Sequence, residues 1–379
     1  MKILIVIDAL GFGGAERLLI SLLPQLRKLG VYSEIVAANP PYSLMPELQD
    51  EGIVVHCLNI KHRWAIPQAV YKLTKIYKQG QFDIIWGHLY FGNLYAAYTS
   101  LFVKKAKVVW TLHSTGYTLN PPITTWQKFR MWLEKITAYY LVDVKVGVSN
   151  AVVDDYQQAL KWSVHRIYNG IPIEKLPPKI NTEQYYRIRE YYAIAQDAFF
   201  IVTPARYVEQ KGHVILCEAL HILKLEKNWC PVCICTGYGH LKPVIQQRIS
   251  ELDLNNVIRL FNPLKQSELF KLIQTANAVV LPSLREPFGI AAIEAMSLGI
   301  PTVLTDTDGF KEVVGNTQSA LIVPPNQPRA LAETLWQLYC DESLQKKLSQ
   351  AGAERVANNF AISKIATEWF NLFNNLMAK

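Results

Sequence analysis

Four charged residues in the C-terminal half are spaced for work on an anion. Arg206 and Lys211 stand five apart in ARYVEQKG, just after an apolar run. A guanidinium fork and a mobile ammonium on one loop can converge on a single diphosphate, although two solvated cations would give the same pattern. Glu286 and Glu294 stand eight apart in REPFGIAAIEAMSLGIPTVLT. Glu286 precedes a proline in a loop. Glu294 falls one to two turns inside an otherwise apolar helix, where a carboxylate is costly unless it has a partner. Near the N-terminus, GFGGAER (Gly11–Arg17) sets glycines between an apolar strand and a helix. Backbone N–H groups in such a turn can hold a phosphate or a sugar hydroxyl. A plain tight turn explains the motif equally well. It is not the dinucleotide fingerprint, because position 16 is Glu rather than Gly and no acidic residue ends the second strand. His113 follows WTL at the carboxyl end of a predicted strand, where open α/β sheets meet their ligands; the alternative is a satisfied core histidine. Asp306–Thr307–Asp308 has the D-x-D spacing of a metal-binding pair, yet no acidic residue follows before Glu312. The spacing predicts a solvated turn there, with Asp308 and Gly309 as turn residues and no metal.

The elements that must carry these residues alternate along the chain. Short, continuously apolar runs predict strands at Ile3–Asp8, Ser33–Ala37, Val54–Cys57, Phe82–Trp86, Val108–Leu112 and Val144–Val148. A second series follows at Phe199–Thr203, Val232–Thr236, Val257–Leu260, Ala278–Leu281 and Pro301–Thr305. Helical stripes lie between them, for example Glu16–Leu29, Pro67–Lys78, Gly212–Glu226 and Gly289–Leu298. Strands without a polar face, separated by helices, imply parallel sheets covered on both sides. The polar, proline-containing stretch Ile173–Gln196 separates the two series. The reading is therefore two doubly wound α/β domains facing across a cleft: residues 1–172, residues 173–358, and a C-terminal helix at 359–379 crossing back to the first domain.

Composition narrows the function. Half of the 379 residues are hydrophobic and 18% are charged, which excludes intrinsic disorder. The net charge of +8 is uneven: residues 1–172 hold 18 Lys and Arg against 11 Asp and Glu, whereas the remainder is nearly balanced. A basic half implies an anionic partner, and KHRW at 61–64, KKAK at 104–107 and WQKFRMWLEK at 126–135 point to an anionic membrane surface. No zinc-finger spacing or RNA-binding aromatic signature supports nucleic acid. Six cysteines, unevenly spread, read as free thiols of a reducing compartment. Cys230 and Cys233 have the C-x-x-C spacing of a zinc or redox site, but Pro231–Thr236 reads as a core strand and no second Cys/His pair has metal spacing. The uncharged stretch Ile84–Val103 carries too many polar residues for a membrane span and reads as a strand plus a helix. The aromatics at 126, 129, 132, 139 and 140 are expected in the core.

The motifs taken together resemble the family 4 glycosyltransferases, which have the GT-B architecture. The matching stretches are GGAER, WTLHS at 110–114, GVSNAV at 147–152, IYNGI at 167–171, R-x4-K-G at 206–212, CTGYGHL at 235–241, and E-x7-E at 286–294 with EAMSLGIPTV. They run in the family's order along nearly the whole chain. The resemblance implies a retaining hexosyltransferase that takes a nucleotide diphosphate sugar, with UDP as the expected nucleotide, and needs no cofactor or metal. It implies that Arg206 and Lys211 bind the donor diphosphate, that Glu294 binds the ribose, and that Glu286 with the N–H groups of Phe288, Gly289 and Ile290 holds the donor sugar. Gly13 and Gly14 would face the phosphate or the acceptor, and His113 the reacting sugar. The acceptor would be a hydroxyl on a lipid-linked or a soluble molecule, and the enzyme cytoplasmic, peripheral on the inner membrane face if membrane-bound. Ala205 stands where the family usually has Gly, and Asp308–Gly309 where it often has Gly–Gly. The alternatives are another GT-B sugar-nucleotide enzyme, such as an epimerase, and a nucleotide-sugar-binding protein without turnover.

Overall fold

Runs such as KILIVI have no polar face, so they must be covered on both sides, and in each of two units they build an all-parallel sheet. The computed structural model describes every residue except Phe12, Lys104, Lys105, residues 118–123 and Lys379. It divides into Met1–Pro172 with Ala361–Lys379, and Ile173–Phe360.

In the first unit, β1 (Lys2–Ile7), α1 (Gly14–Lys28), β2 (Tyr32–Ala37), α2 (Met45–Asp50), β3 (Val54–Cys57), α3 (Ile66–Gly80), β4 (Ile84–His88) and α4 (Leu89–Ser100) are followed by β5 (Lys107–Leu112), α5 (Thr125–Leu141), β6 (Val144–Gly147), α6 (Asn150–Leu160) and β7 (His165–Arg166). The seven strands lie in the order β3-β2-β1-β4-β5-β6-β7. In the second unit, α7 (Thr182–Tyr191), β8 (Phe200–Pro204), α8 (His213–Lys227), β9 (Val232–Thr236), α9 (Lys242–Glu251), β10 (Ile258–Phe261) and α10 (Gln266–Gln274) come first. Then follow β11 (Ala278–Leu281), α11 (Ile290–Ser297), β12 (Thr302–Thr305), α12 (Asp308–Val314), β13 (Leu321–Val323), α13 (Pro328–Cys340) and α14 (Glu342–Asn359). Six strands lie in the order β10-β9-β8-β11-β12-β13. The last helix, α15 (Ile362–Met377), belongs to the first unit.

Each strand order reverses once, between β1 and β4 and between β8 and β11. At such a switch point the two loops leaving the carboxyl ends diverge and open a crevice. The core beneath is apolar. Trp369 and Phe373 of α15 pack on Trp86 of β4, with ring centroids 4.4 and 5.1 Å apart, while Leu19, Leu22 and Leu26 of α1 are fully buried in the same cluster.

Three expectations are corrected. The stretch Ile173–Gln196 is more than a separator: α7 lies in it, and Arg189 is fully buried, donating to the carbonyls of Thr275, Ala195 and Ala198. Asp308 is the first residue of α12 rather than a turn residue, because Gly309 beside it is buried against the preceding loop. The aromatics of α5 at 126, 129, 132, 139 and 140 are exposed, not in the core. Cys233 and Cys235 lie buried on β9, their thiols 3.8 Å apart. Among the described residues, no helix is long and apolar enough to cross a membrane.

Candidate active site

In the second unit the switch point gathers the charged residues. The loop after β8 is anchored by Tyr207, whose buried hydroxyl donates to the carbonyls of Cys235 and Phe261 at 2.9 and 2.6 Å. It is tied to the loop after β11 by Leu284 N–H donating to the Gln210 carbonyl at 2.8 Å. The two loops therefore hold one another in register. Lys211 Nζ reaches Glu286 Oε2 at 2.6 Å, with side chains only 16% and 13% exposed, which strengthens the pair relative to a surface one. Arg206 lies on the same loop but is exposed and forms no ion pair among the described residues. Gly212 closes the turn at φ +64°, and a Cβ there would stand 1.9 Å from the Pro282 carbonyl, so only glycine lets Lys211 and the β11 loop come this close.

Gly289 precedes α11 and Ile290 is its first residue, so the Phe288–Gly289–Ile290 backbone enters a helix N-terminus. Phe288 itself is buried. Gly309 backs this loop: its N–H donates to the Glu286 carbonyl at 3.2 Å, and a Cβ at 309 would lie 2.3 Å from that oxygen. The second Gly of the familiar Gly–Gly pair is the one that packing requires here. Glu294 is buried on α11 and accepts from Gln266 Nε2 at 3.1 Å, the partner that an apolar helix makes necessary. Asp306 pairs with Lys311 at 3.0 Å. Among the described residues, no three His, Cys, Asp or Glu are grouped to hold a metal ion.

Sequence reasoning missed His213, the first residue of α8. It is buried against Tyr207, both ring nitrogens lack protein partners, and burial, helped by the Lys211 charge, pulls its imidazole down to about 4. The KGH triplet was the available signal.

In the first unit, the switch point lies between the loops after β1 and β4. Asp8, just after β1, ties that loop to the first turn of α4 by accepting from Gly92 N–H at 2.6 Å, and burial raises its carboxyl to about 6. Gly13 caps α1 and Gly14 begins it. His113, directly after β5, turns Nε2 to His88 Nδ1 at 2.9 Å. Desolvation lowers both, His113 to about 4, so the pair is neutral near pH 7 and shares its donor and acceptor roles. His113 Nδ1 is then the ring nitrogen left for a ligand.

His113 also borders a cavity of about 270 Å³ enclosed by residues of α4, β5, α5 and α6. No motif along the chain announces its floor. There Glu134 of α5 is buried and accepts from the Tyr117 hydroxyl, while Asp155 of α6, behind the lining, holds the Gly116–Tyr117 loop by accepting both N–H groups at 2.9 and 3.1 Å. Arg130 stacks on Tyr90, 4.1 Å from the ring centroid. The lining residues come from positions up to 67 apart and share no motif.

Burial raises Glu134 from the usual 4.5 to about 7. A raised carboxyl favours the folded state in its protonated form. Its contribution is complete below pH 4.5 and is lost as pH rises through 7. Replacing Glu134 with Gln is expected to remove this part of the decline in thermal stability between about pH 4.5 and 7. Asp8 declines in the same direction and stays in both proteins, so the difference between the two melting-temperature profiles isolates Glu134. Parallel profiles would refute the assignment.

Comparison with known proteins agrees with this architecture. The model of Glycosyltransferase Family 4 matches residues 12–175, and that of Glycosyl transferases group 1 matches residues 186–355. The D-inositol 3-phosphate glycosyltransferase of Jonesia denitrificans is 27% identical over 216 residues, 55% of this chain and 51% of that enzyme. The capsular polysaccharide biosynthesis glycosyltransferase CapM of Staphylococcus aureus is 28% identical over 217 residues, 55% of this chain and 53% of CapM. The chain thus spans about half the length of each of these two relatives. The crystal structure of Anabaena Alr3699/HepE in complex with UDP and glucose superposes with a TM-score of 0.85 at 20% identity, covering 99% of this chain and all of that one.

Proposed function

The chain belongs to the family 4 glycosyltransferases of the GT-B fold, and we propose that it moves a sugar from a nucleoside diphosphate to an acceptor hydroxyl with retention of anomeric configuration. The observation that carries this reading is the Lys211–Glu286 pair at the switch point of the second sheet, beside the N-terminus of α11. In this reading the second unit binds the nucleotide sugar and the first unit binds the acceptor.

As the bond from the anomeric carbon to the diphosphate breaks, the leaving group gains charge. Arg206, Lys211 and the N–H groups of Phe288, Gly289 and Ile290 stabilise that charge. Glu286 orients Lys211 and accepts from the sugar hydroxyls, and Glu294 accepts from the ribose. The acceptor oxygen attacks the oxocarbenium-like carbon on the face the diphosphate leaves. Its proton passes to a departing phosphate oxygen, so no dedicated base is needed. His113, neutral and tied to His88, lines the sugar side of the acceptor cavity, with Gly13 and Gly14 at the neighbouring turn.

UDP is the proposed nucleotide, since HepE binds UDP and glucose. The relatives' names span a small phosphorylated polyol and a capsular polysaccharide, so no acceptor is carried over from them. The basic first unit suits an acceptor presented at an anionic cytoplasmic membrane face. The reading is tested by thermal stabilisation with a panel of nucleotide sugars, followed by product analysis with the donor that stabilises most. Failure of every nucleotide sugar to stabilise the protein would overturn it. An isomerised donor in the absence of acceptor would favour an epimerase instead. Excess chelator is expected to leave transfer intact, because the cations of the protein already meet the diphosphate. Loss of activity restored by Mg²⁺ or Mn²⁺ would refute that expectation.

A further inference from the structure

The outward face of α5 is apolar, the reverse of a surface helix. At 3.6 residues per turn, Trp126, Phe129, Trp132, Ile136, Tyr139 and Tyr140 form one stripe about 140° wide. All six are between 38% and 76% exposed, in a protein that buries Trp86, Trp110 and Trp369 fully. Trp126, Phe129 and Trp132 stack in a ladder, with ring centroids 5.5 and 5.8 Å apart. Leu101 and Phe102, also exposed, follow α4, which packs beside α5 through the Tyr98–Thr137 hydrogen bond. A monomer rarely leaves so continuous an apolar surface in water without use.

Charge identifies the occupant. Lys128 and Lys135, both exposed, flank the stripe along one side. At its N-terminal end Trp126 meets Trp64, centroids 4.9 Å apart, and Lys61 and Arg63 stand exposed on the same loop. Glu134, the one carboxylate of α5, is buried on the opposite face. The stripe therefore combines Trp and Tyr rings, which favour the boundary of water and hydrocarbon, with a rim of cations and no exposed anion on the helix. Lys104 and Lys105 lie outside the described residues.

We propose that this face of α5 seats the first unit on an anionic lipid surface. The other face of the same helix supplies Gln127, Arg130, Met131 and Glu134 to the cavity at His113. One helix diameter, about 10 Å, thus separates that cavity from the headgroup plane. This rests on the transfer reading above, and it deepens that reading to an amphiphilic acceptor: a hydroxylated headgroup enters the cavity while its apolar tail stays in the bilayer.

The test is flotation of the full chain with vesicles of phosphatidylcholine alone or mixed with phosphatidylglycerol. The wild type is expected to float with the anionic vesicles at low salt. Phe129→Ser with Trp132→Ser should lower the bound fraction about tenfold or more, and Lys128→Glu with Lys135→Glu should do so at low salt, where surface charge is least screened. Bromine-labelled lipid should quench the wild-type tryptophan emission more than that of the Trp126→Phe, Trp132→Phe variant. No flotation of the wild type, or flotation indifferent to the aromatic variant, would overturn the proposal. So would a concentration-dependent dimer that the aromatic variant abolishes, because the stripe would then be covered by a second copy. Stabilisation by UDP is measured on every variant. Its loss in the wild type would strike the donor reading alone, whereas its survival beside failed flotation would strike the lipid surface alone.

Discussion

Lys211→Ala and Arg206→Ala are each expected to lower kcat for sugar transfer by on the order of 10²–10³, the usual cost of removing one donor from a developing anion. The two variants should differ in stability. Arg206 is exposed and has no ion-pair partner among the described residues, so the fold gives it no structural work, and its removal should leave the melting temperature unchanged. Lys211 neutralises Glu286 at 2.6 Å in a partly buried site, so Lys211→Ala leaves a carboxylate without its cation and should also lower the melting temperature. A kcat loss common to both, with a stability loss confined to one, separates chemistry from folding. Near-normal kcat in both variants would remove these residues from the donor site.

Glu294→Gln is expected to weaken binding of the bare nucleoside diphosphate about 10–100-fold, the worth of one charged hydrogen bond to a ribose hydroxyl. The substitution keeps an oxygen for the Gln266 Nε2 contact at 3.1 Å, while it removes the charge and turns the other acceptor oxygen into an amide donor. Glu286→Gln should leave bare-nucleotide affinity nearly unchanged and lower transfer instead. In the proposed reading its carboxylate orients Lys211 and accepts from the donor sugar; Lys211 Nζ at 2.6 Å and Ser283 Oγ at 3.4 Å both meet the same carboxylate oxygen. Calorimetry with UDP, beside transfer rates, checks the division of labour. Equal affinity losses for the two variants would contradict it.

Much of the fold is legible along the chain because its strands are short, apolar and buried on both faces. Val54–Cys57, Val232–Thr236 and Ala278–Leu281 are expected and observed at the same residues. A parallel strand advertises itself locally, since no polar residue can sit in it unpaired. Glycine punctuation does the same for the loops: Gly212 stands where the turn needs a positive φ, and Gly289 where a helix begins. The short strands β7 and β13 escaped notice because two or three residues carry no periodicity.

The amino-acid sequence by itself determined the fold class, the family, and the charged residues of the second unit, because each of these is written in segments of a few residues: a buried strand, a glycine turn, an E-x7-E spacing. Tertiary structure alone decided the first-unit cavity, where α4, β5, α5 and α6 bring together Tyr90, His113, Glu134 and Tyr156 from remote positions. It also decided the protonation of Glu134, since desolvation depends on what surrounds a carboxyl in space and not on its neighbours along the chain. The aromatic stripe of α5 follows the same rule. Helical periodicity shows that Trp126, Phe129 and Trp132 share a face, but a face is apolar alike whether it meets a core or a lipid surface. Only the packed neighbours of Glu134, Thr137 and Ala138 reveal that the core lies on the other side.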